Sequence, residues 1–214
     1  MIRRRSLRAL CRDRAGVAAV EFALSLPLLL LLMTLGIEYT NYVLTRKKIS
    51  EIAALLADNA SRMGDQSVLS NKPITEAEIQ DLFEGAVLQA GNQIDLPQSS
   101  RIILSSLERK SDGHQWIHWQ RCFGTKVHDP VFGREGDGNN GTTITGMGPP
   151  SWRVTADAGS AVMFVEISYR YRPIIGLLPL SLQDVTEFAA FRVRDERDLS
   201  GIHSANGVTP ATCA

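Results

Sequence analysis

The sequence predicts an α+β protein in which one N-terminal transmembrane helix continues into an amphipathic helix and then a small antiparallel-sheet domain. Three features of the text carry this prediction. Residues 17–37 form an apolar run, an apolar period of 3.5–3.6 residues continues to residue 63, and beyond residue 100 the pattern changes to that of strands. Helices first and antiparallel strands after place the chain in the α+β class. Its 214 residues leave room for one ordinary domain besides the anchor.

The formal net charge is zero but unevenly distributed. Residues 1–16 carry Arg3, Arg4, Arg5, Arg8, Arg12 and Arg14 against Asp13, a net of +5, and the remainder carries −5. That split reads as a topology signal and argues against a nucleic-acid-binding surface. From Val17 to Ile37 the text is VAAVEFALSLPLLLLLMTLGI, with Glu21 its one charge. A helix of that length spans roughly 31 Å, the thickness of a bilayer's hydrocarbon core. The arginines lie directly upstream, whereas Arg46, Lys47 and Lys48 lie further from the other end, so the N-terminus is expected in the cytoplasm and the C-terminal part outside. Arg4-Arg5-Ser6-Leu7 resembles a twin-arginine export signal, but no small-x-small cleavage site follows the span. A lipoprotein signal would place its cysteine after the apolar run, and Cys11 precedes it.

Beyond Ile37, Tyr42, Ile49, Ile52, Ala53, Leu56, Ala60 and Met63 keep one helical face, with Gly64 as the expected stop. The helix is expected to run on over 38–64, the alternative being a break near Glu38–Asn41. Pro27 removes the hydrogen bond to Ala23 and is expected to kink the span. In the region 65–214, Thr75 and Glu78 form a capping box with Ile74 and Ile79 around it, and Leu82, Phe83, Ala86, Val87 and Ala90 extend an apolar face to Gly91. Residues 101–108, 115–121, 161–172 and 185–194 read as strands, with Ser111-Asp112-Gly113 as a hairpin turn. Residues 133–150 form a glycine-rich loop.

Glu21 is the informative residue, because a carboxylate inside a spanning helix costs about 2.5–3.5 kcal/mol on insertion scales. It stands fifth after Gly16 and directly before Phe22. A basic leader, a glycine, four residues and then Glu-Phe resembles the prepilin-peptidase site of type IV pilins of the tight-adherence branch. The run GVAAVEFALSLPLLLLLMTLGIEYTNYVLTRKKI, with Pro27, the Gly36-x-Glu38 step and the trailing basic residues, is similar to the TadE-like signature. The resemblance implies a pilin-like fold and cleavage between Gly16 and Val17. It implies as partners a prepilin peptidase, the pilus membrane platform and other pilin-like subunits in the bacterial inner membrane. Cleavage would create an ammonium at Val17, and Glu21 is expected to pair with that of a neighbouring subunit, with Phe22 beside it. The alternative is that Glu21 snorkels to the interface.

Chemistry elsewhere is sparse. His114, His118, His128 and His203 do not form a metalloprotease spacing, and Trp116, His118 and Trp119 read as an exposed strand face. Asp137 and Asn139 have the look of a calcium loop, but the downstream bidentate glutamate is missing, so a solvated turn is expected. No nucleophile elbow, H-E-x-x-H or phosphate loop occurs, so no enzyme, cofactor or metal is expected. Removal of the leader takes Cys11 with it and leaves Cys122 and Cys213, an even pair in an oxidising compartment: either a disulfide or two buried thiols. The expected function is a non-enzymatic pilin-like subunit. An uncleaved, signal-anchored periplasmic binding or enzymatic domain is the alternative.

Overall fold

The computed structural model describes residues 16–64, 72–139, 141–175, 184–194 and 197–213. The leader arginines and Cys11 lie outside the described residues. One helix, α1, runs from Val17 to Arg62 without a break at Pro27 or at Glu38–Asn41. Within its apolar half the hydroxyls bond back to the helix itself: Ser25 donates to the Phe22 carbonyl and Thr34 to that of Leu31. Such back-bonding suits a segment without water around it. The helix ends before Gly64, the expected stop. Met63 turns to an extended conformation, and the buried Arg197 guanidinium donates to the carbonyls of Ala60 and Met63 at 2.9 Å. A cation from a distant strand thus takes the place of a glycine cap.

Strand β1 (Lys72–Thr75) leads into α2 (Glu76–Ala90), whose capping box is complete: Thr75 accepts from the Glu78 amide, and Glu78 accepts from the Thr75 amide at 2.8 Å. A 3-10 turn at Gly91–Gln93 and the short α3 (Leu96–Ser99) follow. Strands β2 (Ser100–Arg109), β3 (Gln115–Phe123), β4 (Ala161–Arg170) and β5 (Asp184–Arg192) form an antiparallel sheet ordered β3-β2-β4-β5. The hairpin at 110–114 joins β2 to β3, with the Lys110 amide on the His114 carbonyl at 2.9 Å. Strand β6 (Arg197–His203) pairs parallel with β1. This small second sheet was not predicted. Lys72–Thr75 is four residues long and contains Pro73, too little for an alternation to be read.

The sheet is covered on both faces. Ile49, Ile52, Ala53 and Leu56 of α1 and Ile79 and Phe83 of α2 pack on Ile102, Leu104, Met163, Val165 and Ile167. On the opposite face Leu107, Ile117, Val162 and Phe164 meet Met147, Ala156, Ile144 and Phe132 from the long β3–β4 connection. The glycine-rich stretch is therefore a lid on the sheet, not merely a solvated loop. Asp137 sits in a tight turn: its side chain accepts from the Arg134 amide at 2.8 Å and its carbonyl from the Ile117 amide at 2.9 Å. Those bonds, with Gly136 donating to the Ile117 carbonyl, also occupy the outer edge of β3.

The expected exposed strand face at Trp116–Trp119 is corrected by a bulge. The β2–β3 register slips between Ser106 and Leu107, so Ile117 and Trp119, two residues apart, are buried on opposite faces of the sheet. His118 stacks on Trp116 at 4.2 Å, and its Nδ1 lies 3.0 and 3.1 Å from the oxygens of buried Glu108.

Candidate functional site: the apolar helix and its junction with the globular domain

The first half of α1 stands clear of the domain. Val17, Val20, Phe22, Leu24 and Leu28–Met33 are all exposed, and Glu38 is the first fully buried residue of the helix. Gly16 precedes the first turn with φ −89° and ψ −7°, a conformation open to any residue, and a Cβ there would meet nothing within 4 Å. Among the described residues nothing requires a glycine at this position. Val17 and Glu21 stand one helical turn apart, and Glu21 is exposed with no hydrogen-bonding or ion-pair partner among the described residues. The structure thus keeps Gly16, Val17, Glu21 and Phe22 together on one free helix end and brings no other described element to them.

Where the apolar run ends, a built polar junction begins. Glu38 is completely buried, and its carboxylate accepts from the Tyr171 hydroxyl at 2.7 Å, the Ile174 amide at 3.2 Å and the Ile175 amide at 2.6 Å. Asn41, one turn on, donates to the Tyr171 oxygen at 2.7 Å, and Tyr42 packs edge-on against the Tyr171 ring with centroids 5.3 Å apart. A buried carboxylate is tolerable only when donors replace its water, and here backbone and phenol do so. Burial first, and then the bond to Glu38, push the Tyr171 phenol up to about 12. The junction fastens the segment after β4 to the helix at the level where the apolar run stops. The sequence marks Glu38 through the Gly36-x-Glu38 step and as one edge of a possible helix break; its partners lie more than 130 positions away in sequence, beyond the reach of any local signal.

Cys122 and Cys213 are joined, with Cα atoms 5.0 Å apart. The Cys122 amide donates to the Ala211 carbonyl at 2.7 Å, so the C-terminal tail lies along the outer edge of β3. Arg121 beside it grips Glu76 in the first turn of α2 through Nε and Nη2, at 2.9 and 2.5 Å. His118 and His128 each rest on a buried carboxylate, Glu108 and Glu166. The Ser106 hydroxyl donates to Glu108 and not to His118, so this cluster lacks the nucleophile–base contact of a catalytic relay. Among the described residues no group of three His, Cys, Asp or Glu could hold a metal ion.

Among the described residues one helix is long and apolar enough to cross a membrane, and its continuity with a packed α+β domain is the layout of a single-pass membrane protein. Residues 16–64, which begin at Gly16 and end just past α1, match the TadE family model, described as TadE-like protein. No curated protein and no solved structure matches the chain.

Proposed function

We propose that this chain is a non-enzymatic, pilin-like subunit of a tight-adherence pilus, processed by a prepilin peptidase between Gly16 and Val17. It is held in the inner membrane with its N-terminus cytoplasmic and its globular domain periplasmic, where it assembles with other pilin-like subunits and the membrane platform. The observation that carries the reading is the coincidence of the TadE-like match with the Gly16, Glu21-Phe22 pattern at the free end of α1. Gly16 supports it from a second direction. Glycine is present where nothing among the described residues requires it, as expected if a protease must approach the backbone there. The positive leader and the loss of all six of its arginines on cleavage fit a helix that is first oriented and then released for lateral assembly.

The test is the mass of the chain in membrane extracts from cells with an active peptidase. The mature protein should begin at Val17, and Gly16→Leu should leave the leader in place without altering the melting of the domain. A chain that keeps Met1 or Ile2 in such cells would refute the pilin-like reading and leave an uncleaved signal anchor.

A further inference from the structure

The junction at Glu38 holds a surface that the helix alone does not account for. Pro173, Ile174 and Ile175 follow β4, and Ile174 and Ile175 are 65% and 42% exposed although both are large and apolar. Their amides end on the Glu38 carboxylate, so this backbone meets α1 one residue, or about 1.5 Å of rise, beyond Ile37. Ile174 shares an open groove with Met33, Gly36, Ile37 and Leu44, which makes its side chain continuous with the apolar surface of the span. By sequence the chain stays apolar after it, through Leu177, Leu178 and Leu180.

We propose that Pro173–Ile175 is a second point of contact with the bilayer, lying in the interfacial layer of the leaflet from which α1 emerges. This rests on α1 crossing a membrane and is independent of processing and of pilus assembly. The bonding of Glu38 is what such a contact needs. A non-helical backbone at membrane depth is costly unless its amides are satisfied internally, and Glu38 satisfies two in succession. The occupant is lipid because the patch runs without interruption into the lipid-facing helix and stands level with the end of a run that matches the hydrocarbon thickness. Two contacts, helix and loop, fix the rotation of the domain about the helix axis, so that one constant face points away from the membrane.

The test uses the full chain with Cys11→Ser, oxidised so that Cys122 and Cys213 stay paired, and a single new cysteine carrying a nitroxide. Ile174→Cys is compared with Ile37→Cys in the span and Ser111→Cys in the hairpin at the far end of the sheet. In vesicles of phosphatidylethanolamine and phosphatidylglycerol, relaxation by oxygen is set against relaxation by a water-soluble nickel chelate. The oxygen-to-nickel ratio at 174 should match that at 37 and exceed that at 111 several-fold, with Ile175→Cys behaving alike should the first variant fold poorly. A ratio at 174 equal to that at 111 would overturn the proposal. So would a label shielded from both reagents, which would mean that protein covers the patch. A water-like ratio at 37 would remove the membrane reading itself, and the proposal with it. A lipid-like 37 beside a water-like 174 would remove the proposal alone.

Discussion

Glu21 and Glu38 are carboxylates on the same helix, 17 residues apart, and their surroundings could hardly differ more. Glu21 is exposed near the start of α1, where in hydrocarbon a carboxylate without a cation is costly. Under the proposed function that cation is the Val17 ammonium of a neighbour. Glu21→Gln should therefore ease insertion slightly yet sharply reduce recovery of partner pilins on co-purification, with no change in the melt of the domain. Undiminished recovery would leave the residue as a snorkelling side chain. Glu38 is satisfied within its own chain, and Tyr171→Phe should cost about 1–3 kcal/mol by stripping a donor from a buried carboxylate. The pH dependence has a definite sign. The folded phenol titrates near 12, above the ordinary 10, so the folded state holds this proton more tightly than the unfolded chain. Its contribution is fully present below pH 10 and is lost as pH rises through 12. A melting temperature that falls as steeply over this range in Tyr171→Phe as in the parent would contradict this. Of the two glutamates, only Glu21 stands out in the sequence as a buried-charge cost, because a charge inside an apolar run is visible locally, whereas the burial of Glu38 is not.

At the scale of elements, legibility followed the range of the signal. The capping box at Thr75 and Glu78 and the four main strands were readable because each is written in adjacent residues. Three features depend on contacts made from afar: the β1–β6 pairing, the Arg197 cap on α1, and the bulge that turns Trp119 to the face opposite Ile117. The glycine-rich connection was legible as a loop but not as a lid, since its few apolar residues, such as Ile144 and Met147, are scattered among glycines and prolines. One glycine exposes the difference. Gly138 has φ +87°, and a Cβ on it would lie 2.2 Å from the Gln115 carbonyl oxygen and 2.8 Å from the Trp116 Cα, both backbone. The positive φ alone strains an alanine, and a lid pressed on β3 adds a backbone clash that a solvated turn would not. Gly138→Ala should destabilise by more than about 1 kcal/mol and increase exchange of the Ile117 amide with solvent. An unchanged melt would mean that the lid is loose in solution.

At the scale of the molecule, the chain is a long helix joined to a domain in which a covalent link ties the C-terminal tail to β3. The tail from Ser204 to Cys213 has little apolar content, yet Ala211 packs against the main core, and Gly207 and Thr209 lie in a groove with Phe83 and Phe123. Weak docking of this kind needs a tether, and the bond between Cys122 and Cys213 closes a loop with a sequence separation of 91. On the chain-entropy model a loop of that size contributes roughly 4–5 kcal/mol. The link also connects layers. The tail carries β6 ahead of it, β6 pairs with β1, and Arg197 at its start closes the end of α1, so freeing Cys213 should loosen the far end of the helix as well. The double variant Cys122→Ser, Cys213→Ser should melt lower than the oxidised parent by roughly 10–15 °C. Reductant should lower the parent to the same point and leave the variant unmoved. Hydrogen exchange should rise first at β1, β6 and the last turn of α1, while the four-stranded sheet stays protected. If reductant shifts the variant as much as the parent, its effect does not come from this bond. If exchange instead rises evenly over the whole sheet, the tail is part of one cooperative core and not a strap laid across it.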